Sequence, residues 1–265
     1  MQDAQADRPW QLGFSEDGHG VPVICLHSGG LSSRQWRRLA ALLAPSYRVI
    51  LPDLIGYGTT GAWPAGEPFH FQRDVDAIVA LARTLDQPPH FVGHSYGGFL
   101  AMHVARAVPV RSLALYEPVT FSVLDPARDA DALAIDVKRT WEPDASGSDE
   151  AWFTSFVDWW NGPGAWRAMP AETAAAFRAV GWKLFEEVRT LGADRTGAAR
   201  FAEVAAPALI MGGAQTPLTE RRTIERLTEA LPNATLQMFD GAGHMGPISH
   251  HAAVNAAISA FVAAH

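Results

Sequence analysis

The sequence contains a single cysteine, Cys25, so no disulfide can form within the chain. Cys25 lies in an apolar segment and is predicted to be a small buried side chain. Lysine and arginine form no basic segment, and the net charge at neutral pH is −7. A chain with this charge distribution lacks the basic surface that phosphate backbones require, so nucleic acid is not an expected partner.

Long apolar stretches are also missing, and none is sufficient to span a bilayer, so no membrane contact is expected. Residues 1–8 are polar and lack the apolar core of a signal peptide. The expectation is therefore a cytoplasmic protein. Its 265 residues suffice for one large α/β domain with an insertion.

Short apolar segments alternate with helical patterns along most of the chain. This alternation predicts βαβ units and a mainly parallel central sheet with helices on both faces. The predicted strands cover residues 21–26, 47–51, 90–92, 112–116, 208–211 and 235–239. The predicted helices cover residues 33–43, 71–85, 96–107, 220–230 and 251–262.

Residues 121–196 interrupt this alternation, because they show helical patterns and no strand pattern. The sequence therefore predicts an α/β core of residues 1–120 and 197–265, with a helical lid formed by residues 121–196. A lid inserted at this point lies over the carboxyl ends of the strands, where open α/β sheets bind ligands.

The predicted lid is rich in tryptophan. Large aromatic side chains there either line a pocket for a bulky apolar ligand or pack the small helices onto the core. Both interpretations stay open, and Trp160 and Trp182 are the two predicted to bind substrate. Six of the nine tryptophans fall in this region, namely Trp141, Trp152, Trp159, Trp160, Trp166 and Trp182.

The most informative motif is Gly93-x-Ser95-x-Gly97, which follows a predicted strand and precedes a predicted helix. A sharp strand-to-helix turn leaves no room for side chains two positions before and after the serine, which explains the glycines. The turn presents the serine hydroxyl at the N-terminus of a helix, where negative charge is stabilised. Ser95 is therefore the predicted nucleophile.

A glycine-rich loop after the last predicted strand carries His244, the predicted general base. A second glycine-rich turn, which contains Ser28, Gly29 and Gly30, follows the first predicted strand. Tetrahedral intermediates need backbone N–H donors aimed at the oxyanion. The N–H groups of Gly29 and Tyr96 are the predicted donors, and Ser28 and Gly30 are predicted to contact substrate.

Taken together, four segments resemble the α/β-hydrolase family: LHSGG at 26–30, DLIGYG at 53–58, GHSYGG at 93–98 and GAGH at 241–244. The resemblance covers nearly the whole chain. It implies the α/β-hydrolase fold, with Ser95 and His244 in the roles given above and Asp53 in a structural turn near the site.

The acid of the expected triad departs from the commonest pattern of this family. Many members carry it in a Gly-x-x-Asp turn after the penultimate strand, but residues 212–217 read GGAQTP. Glu117 ends the preceding strand instead. This arrangement is similar to that of zearalenone-type lactone hydrolases and some haloalkane dehalogenases. The dehalogenases use an Asp nucleophile, so Ser95 excludes their chemistry.

Glu117 is the predicted triad acid, because it is the carboxylate that ends a strand next to the nucleophile strand. Asp125 is the next candidate, although it already enters the lid. Asp240 precedes the histidine loop and would need a chain reversal to reach it. Glu220 is predicted to lie within a helix and to face away from the site.

These observations predict a hydrolase without cofactor or metal that cleaves an ester or lactone of a bulky, aromatic or apolar small molecule through an acyl-enzyme. Two alternatives remain. The same residues serve C–C bond hydrolysis of ring-fission products, and the scaffold also suits a ligand receptor without activity. The sequence is compatible with a homo-oligomer.

Overall fold

The computed structural model describes residues 10–64, 66–134 and 149–265. Its centre is a seven-stranded sheet in the order β1-β3-β2-β4-β5-β6-β7. The pairing of β1 with β3 is antiparallel, and the other pairs are parallel. The strands are β1 (Phe14–Asp17), β2 (Val21–Leu26), β3 (Tyr47–Pro52), β4 (His90–His94), β5 (Ser112–Tyr116), β6 (Ala208–Gly213) and β7 (Ala234–Phe239).

Each predicted strand is present, and its ends differ from the prediction by at most two residues. The sequence did not indicate β1, which reads FSED and exposes all four side chains. This strand pairs through its backbone with one edge of the sheet. Because none of its side chains is buried, no apolar pattern marks it.

The described helices surround the sheet. In the part of the chain given above they are α1 (Arg37–Leu43), α2 (Gln72–Ala82), α3 (Tyr96–Ala105), α4 (Ala130–Ala134), α5 (Glu150–Asn161), α6 (Ala165–Ala168), α7 (Ala171–Ala179), α8 (Gly181–Leu191), α9 (Gly197–Phe201), α10 (Leu218–Ala230), α11 (Gly246–Ser249) and α12 (His251–Ala264). The predicted helix at 33–43 begins as a 3₁₀ turn, Ser33–Trp36, before α1.

Both faces of the sheet are covered by apolar clusters. Successive residues of a strand point to opposite faces, so Ile24 and Leu26 pack with α2, α3 and α10. Val23 and Cys25 pack with α1 and α12 on the other face. Cys25 is completely buried, as predicted. The sheet thus holds its strand ends in fixed positions between two packed layers.

Helices α4 to α8 form a helical insertion between β5 and β6. This insertion has an apolar cluster of its own, in which Trp152 and Trp166 pack against Phe153, Phe177 and Phe185. Trp152 and Trp166 therefore pack the helices of the insertion together, which is the second of the two interpretations given above. Trp141 lies outside the described residues. Within the described chain, no helix combines the length and the apolar character needed to cross a membrane.

Candidate active site

Ser95 occupies the turn between β4 and α3 with φ 53° and ψ −119°. A positive φ is strained for any residue with a side chain. The turn is held by a 2.9 Å hydrogen bond from the Ser95 N–H to the Tyr116 carbonyl. A Cβ atom on Gly93 would lie 2.7 Å from the Cα of Gly98, and one on Gly97 would collide with the Leu26 carbonyl. The glycines are required by these close approaches.

Ser95, His244 and Glu117 form one hydrogen-bonded chain. The His244 Nε2 atom lies 3.0 Å from the Ser95 Oγ atom, and its Nδ1 atom lies 2.7 Å from the Glu117 Oε2 atom. A carboxylate only accepts hydrogen bonds, so Nδ1 carries the proton and Nε2 is free to accept from the serine hydroxyl. This is the arrangement a general base requires.

Glu117 is held by further donors. Its Oε1 atom accepts a 2.8 Å hydrogen bond from the Gly213 N–H, and its Oε2 atom accepts a 2.6 Å bond from the Thr216 hydroxyl. The residue is fully buried and has a φ of 44°. The turn that lacks the expected carboxylate thus supplies donors that orient Glu117.

The other acidic candidates lie elsewhere. Asp125 is exposed and accepts from the Ala127 N–H at 2.7 Å, and Asp240 is also exposed. Glu220 lies in α10, as predicted, and its carboxylate makes no hydrogen bond to His244, but its side chain is completely buried. Burial, with a contribution from the Glu117 charge, raises the pKa of Glu220 well above its usual value. Its position in α10 gave no sign of this burial.

Two side chains that were not predicted as part of the site, those of His94 and Tyr116, fix the histidine loop. His94 Nε2 donates a 2.8 Å hydrogen bond to the His244 carbonyl, and Gln35 Nε2 donates to His94 Nδ1 at 2.9 Å. Burial lowers the pKa of His94 well below its usual value, so the ring is neutral. The Tyr116 hydroxyl donates to the Gly243 carbonyl at 2.8 Å. The loop is therefore anchored on both sides of the imidazole.

The predicted oxyanion donors, Gly29 and Tyr96, both line the cavity above Ser95, and Ser28 lies beside them. Tyr96 is the first residue of α3, and the first N–H groups of a helix have no partner within it. Gly30 does not line this cavity. Its N–H donates to the Tyr57 hydroxyl at 3.2 Å, and it lines a neighbouring depression of the surface. The structure therefore does not support substrate contact by Gly30.

The cavity above Ser95 and His244 has a volume of about 410 Å³. Trp160 lines it and stacks on His244, with ring centroids 3.6 Å apart and planes inclined by 19°. Trp182 does not line it, because its indole N–H points to the Glu67 carbonyl at 3.3 Å. The prediction that Trp182 binds substrate is therefore not supported. The walls are mainly apolar and include Leu31, Val119, Phe156, Val157, Met169, Phe177, Leu184, Val188, Leu191, Met245 and Ile248.

Within residues 10–64, 66–134 and 149–265, no three His, Cys, Asp or Glu side chains are grouped so that they could hold a metal ion. The functional groups joined at the floor of the cavity are the Ser95 hydroxyl, the His244 imidazole and the Glu117 carboxylate.

The chain also matches a known protein family. A model of the alpha/beta hydrolase family matches residues 23–257. The chain is 30% identical over 248 residues to the pimeloyl-[acyl-carrier protein] methyl ester esterase of Chromobacterium violaceum, with 88% of this chain and 91% of that protein covered. It is 27% identical over 278 residues to the putative non-heme bromoperoxidase BpoC of Mycobacterium tuberculosis, with coverage of 95% and 97%.

A solved structure supports the same fold. The chain superposes on a meta-cleavage product hydrolase from Pseudomonas fluorescens IP01 with a TM-score of 0.72 and 22% identity, covering 95% of this chain and 93% of that one. At this level of identity the likeness concerns the fold.

Proposed function

Because the chain belongs to the alpha/beta hydrolase family, we propose that it hydrolyses a carboxylic ester or lactone through an acyl-enzyme on Ser95. The observation that carries the proposal is the hydrogen-bonded chain of Ser95, His244 and Glu117 at the floor of an apolar cavity. The methyl ester esterase relative supports ester hydrolysis as the reaction class.

The proposed reaction uses protein groups and water. His244 Nε2 takes the Ser95 proton while the serine oxygen attacks the carbonyl carbon, and Glu117 stabilises the resulting imidazolium. The N–H groups of Gly29 and Tyr96 hold the oxyanion of the tetrahedral intermediate. His244 then protonates the leaving alkoxide. A water molecule, deprotonated by the same imidazole, cleaves the acyl-enzyme and restores Ser95.

Trp160 contributes to this chemistry through its stacking on His244. An indole face next to an imidazole stabilises the imidazolium form, since the π-face carries negative potential. The ring also excludes water from one side of the general base, which strengthens the hydrogen bond to Glu117. We propose that the helical insertion acts as a lid that places this indole over the base.

The cavity favours a bulky apolar substrate. Its volume of about 410 Å³ falls in the range of pockets that enclose drug-sized ligands. Its walls come largely from α5, α7 and α8 of the helical insertion. An acetyl group would leave most of this surface without contacts, so large acyl or alcohol groups are the expected substrates.

Replacing Trp160 with alanine is expected to raise KM for 4-nitrophenyl naphthoate about tenfold more than for 4-nitrophenyl acetate. The reason is that burial of a large ring against an aromatic wall is worth roughly 1.5–3 kcal/mol, which the acetate never gains. The loss of stacking on His244 should lower kcat for both esters alike. The measurement is steady-state kinetics of wild type and Trp160→Ala with both esters.

Trp182→Ala is the matched control, because Trp182 belongs to the same insertion but lies outside the cavity. It should leave the ratio of the two KM values unchanged. Equal changes of KM for both esters in Trp160→Ala, with a lowered melting temperature, would show that Trp160 only packs the insertion.

The proposed function is tested by offering wild type and Ser95→Ala three kinds of substrate. These are 4-nitrophenyl esters, lactones and a coloured ring-fission dienoate. The proposal expects turnover of an ester or lactone that depends on Ser95. Turnover of the dienoate without any ester hydrolysis would instead identify a C–C hydrolase. Tight binding of a small molecule without turnover of any class would identify a receptor.

A further inference from the structure

One carboxylate breaks the apolar wall of the cavity. Glu187 of α8 lines the cavity and is almost fully buried. Its Oε1 atom accepts a hydrogen bond from the Lys183 ammonium at 2.6 Å, and its Oε2 atom accepts one from the Tyr57 hydroxyl at 2.9 Å. Lys183 also contacts Asp74 at 3.0 Å, and Asp74 accepts from the Tyr96 hydroxyl at 2.9 Å. The mechanism above makes no use of Glu187.

Glu187 can accept a further hydrogen bond, from a ligand. A carboxylate offers about four acceptor sites, and the protein donors named above occupy two of them. Lys183 is shared between Glu187 and Asp74, so a single ammonium serves two buried carboxylates. Burial raises the pKa of Glu187 to about 7. The protein's own donors therefore leave this carboxylate incompletely stabilised, and a further donor from the cavity would stabilise it.

The position of Glu187 specifies where such a donor would sit on a substrate. A Cβ atom built on Gly29 would lie 2.7 Å from the Glu187 Oε2 atom. Two bond lengths separate that Cβ position from the Gly29 nitrogen, so the amide lies within about 6 Å of the carboxylate. The Gly29 N–H is a proposed donor to the scissile carbonyl. A hydroxyl on the second or third carbon of an acyl chain lies close to its own carbonyl, so such a substrate can reach Glu187 and the Gly29 N–H at the same time.

We propose that Glu187 is a specificity-determining residue that accepts a hydrogen bond from a hydroxyl group on the second or third carbon of the acyl part. Hydroxyacyl esters or lactones with an otherwise apolar body are then the preferred substrate class. This inference rests on the proposed function, because it takes the carbonyl position from the oxyanion donors. An acyl chain without the hydroxyl leaves the carboxylate facing apolar atoms, which is costly.

A purely structural role makes a different prediction. The cluster of Glu187, Lys183, Asp74 and Tyr57 also attaches α8 to the core. If this were its only role, changing Glu187 would lower the stability of the protein without changing the relative affinities of the ligands. Glu186 offers a matched control on the same helix. It is buried, pairs with Arg189 at 2.6 Å and does not line the cavity.

The test measures binding with the nucleophile removed, so that it does not depend on turnover. Phenyl esters of octanoic, 2-hydroxyoctanoic and 3-hydroxyoctanoic acid are titrated calorimetrically into Ser95→Ala at pH 8, where Glu187 is ionised. At least one hydroxyacyl ester should bind about tenfold tighter than the octanoate, since hydrogen bonds to charged groups are strong. Ser95→Ala/Glu187→Gln should reduce this preference to about threefold or less. Ser95→Ala/Glu186→Gln should retain it.

Glu187→Asp provides a second variant if the glutamine protein fails to fold. It keeps the charge next to Lys183 but withdraws the acceptor from the cavity, and it should also reduce the preference. Equal affinities for all esters in Ser95→Ala, absence of binding, or a preference that survives both Glu187 changes would overturn the proposal. If the binding preference holds but protein with intact Ser95 hydrolyses none of the esters, the proposed function fails separately.

Discussion

Replacing Ser95 with alanine is expected to lower kcat for ester hydrolysis by at least about 10⁴-fold, because it removes the atom proposed to form the acyl-enzyme. The Ser95 Oγ atom contacts His244 at 3.0 Å. Alanine keeps the Cβ atom that the turn already accommodates, and the backbone hydrogen bond from residue 95 to Tyr116 is independent of the side chain. The fold should therefore survive the change. Active-site titration and steady-state kinetics measure the loss, and circular dichroism with a melting curve checks the fold.

Ser249→Ala is the matched control for this prediction. Ser249 lies in the exposed part of α11 and donates to the Met245 carbonyl at 3.2 Å. The same chemical change there should alter kcat by less than about twofold, as is usual for exposed sites away from special features. A folded Ser95→Ala protein that retains turnover within tenfold of wild type would contradict the acyl-enzyme mechanism.

Glu117→Gln is expected to lower kcat by about 10³- to 10⁴-fold with the fold retained. Thr216 and Gly213 donate to the two carboxylate oxygens, so the amide oxygen of glutamine can satisfy only one of them. Its NH₂ group donates and cannot accept the proton of His244 Nδ1. The imidazole then favours the tautomer with its proton on Nε2, which cannot take the proton of Ser95.

Asp125→Asn provides the comparison, since Asp125 is the next candidate for the acid but is exposed at the edge of the insertion. It should change kcat by less than about twofold. A loss of less than about tenfold in folded Glu117→Gln, together with a large loss in Asp125→Asn, would transfer the role of the acid to Asp125. Kinetics of both variants with one ester at saturating concentration decide between these outcomes.

Local patterns were enough to predict strands β2 to β7 and the turn at Ser95, whereas β1 carried no apolar pattern. Gly93 is required by the close approach of Gly98 within the turn itself, whereas Gly97 is required by the Leu26 carbonyl of β2. Glu117 was also predictable, since it ends a strand beside the nucleophile strand, and its hydrogen bond to His244 agrees with that placement. The donors that orient it, Gly213 and Thr216, come from a segment almost a hundred residues away and carried no signal.

The lining of the cavity was much less predictable, because it depends on how each helix is rotated in the fold. Trp159 and Trp160 are adjacent, yet Trp160 is the one that stacks on His244. Trp182 looks equivalent in the sequence but turns towards the Glu67 carbonyl. Charged residues on a helix usually face solvent, so the burial of Lys183 and Glu187 was not apparent either. Such positions emerge only from tertiary packing.

Labelling with a fluorophosphonate, followed by peptide mapping, tests whether Ser95 is an activated nucleophile. A phosphonate traps the serine whose proton is removed by a base and whose tetrahedral adduct fits an oxyanion hole. The proposed mechanism predicts one adduct per chain, located on Ser95, absent from Ser95→Ala and formed much more slowly in Glu117→Gln. An adduct on another serine, or an unlabelled wild-type protein, would contradict it.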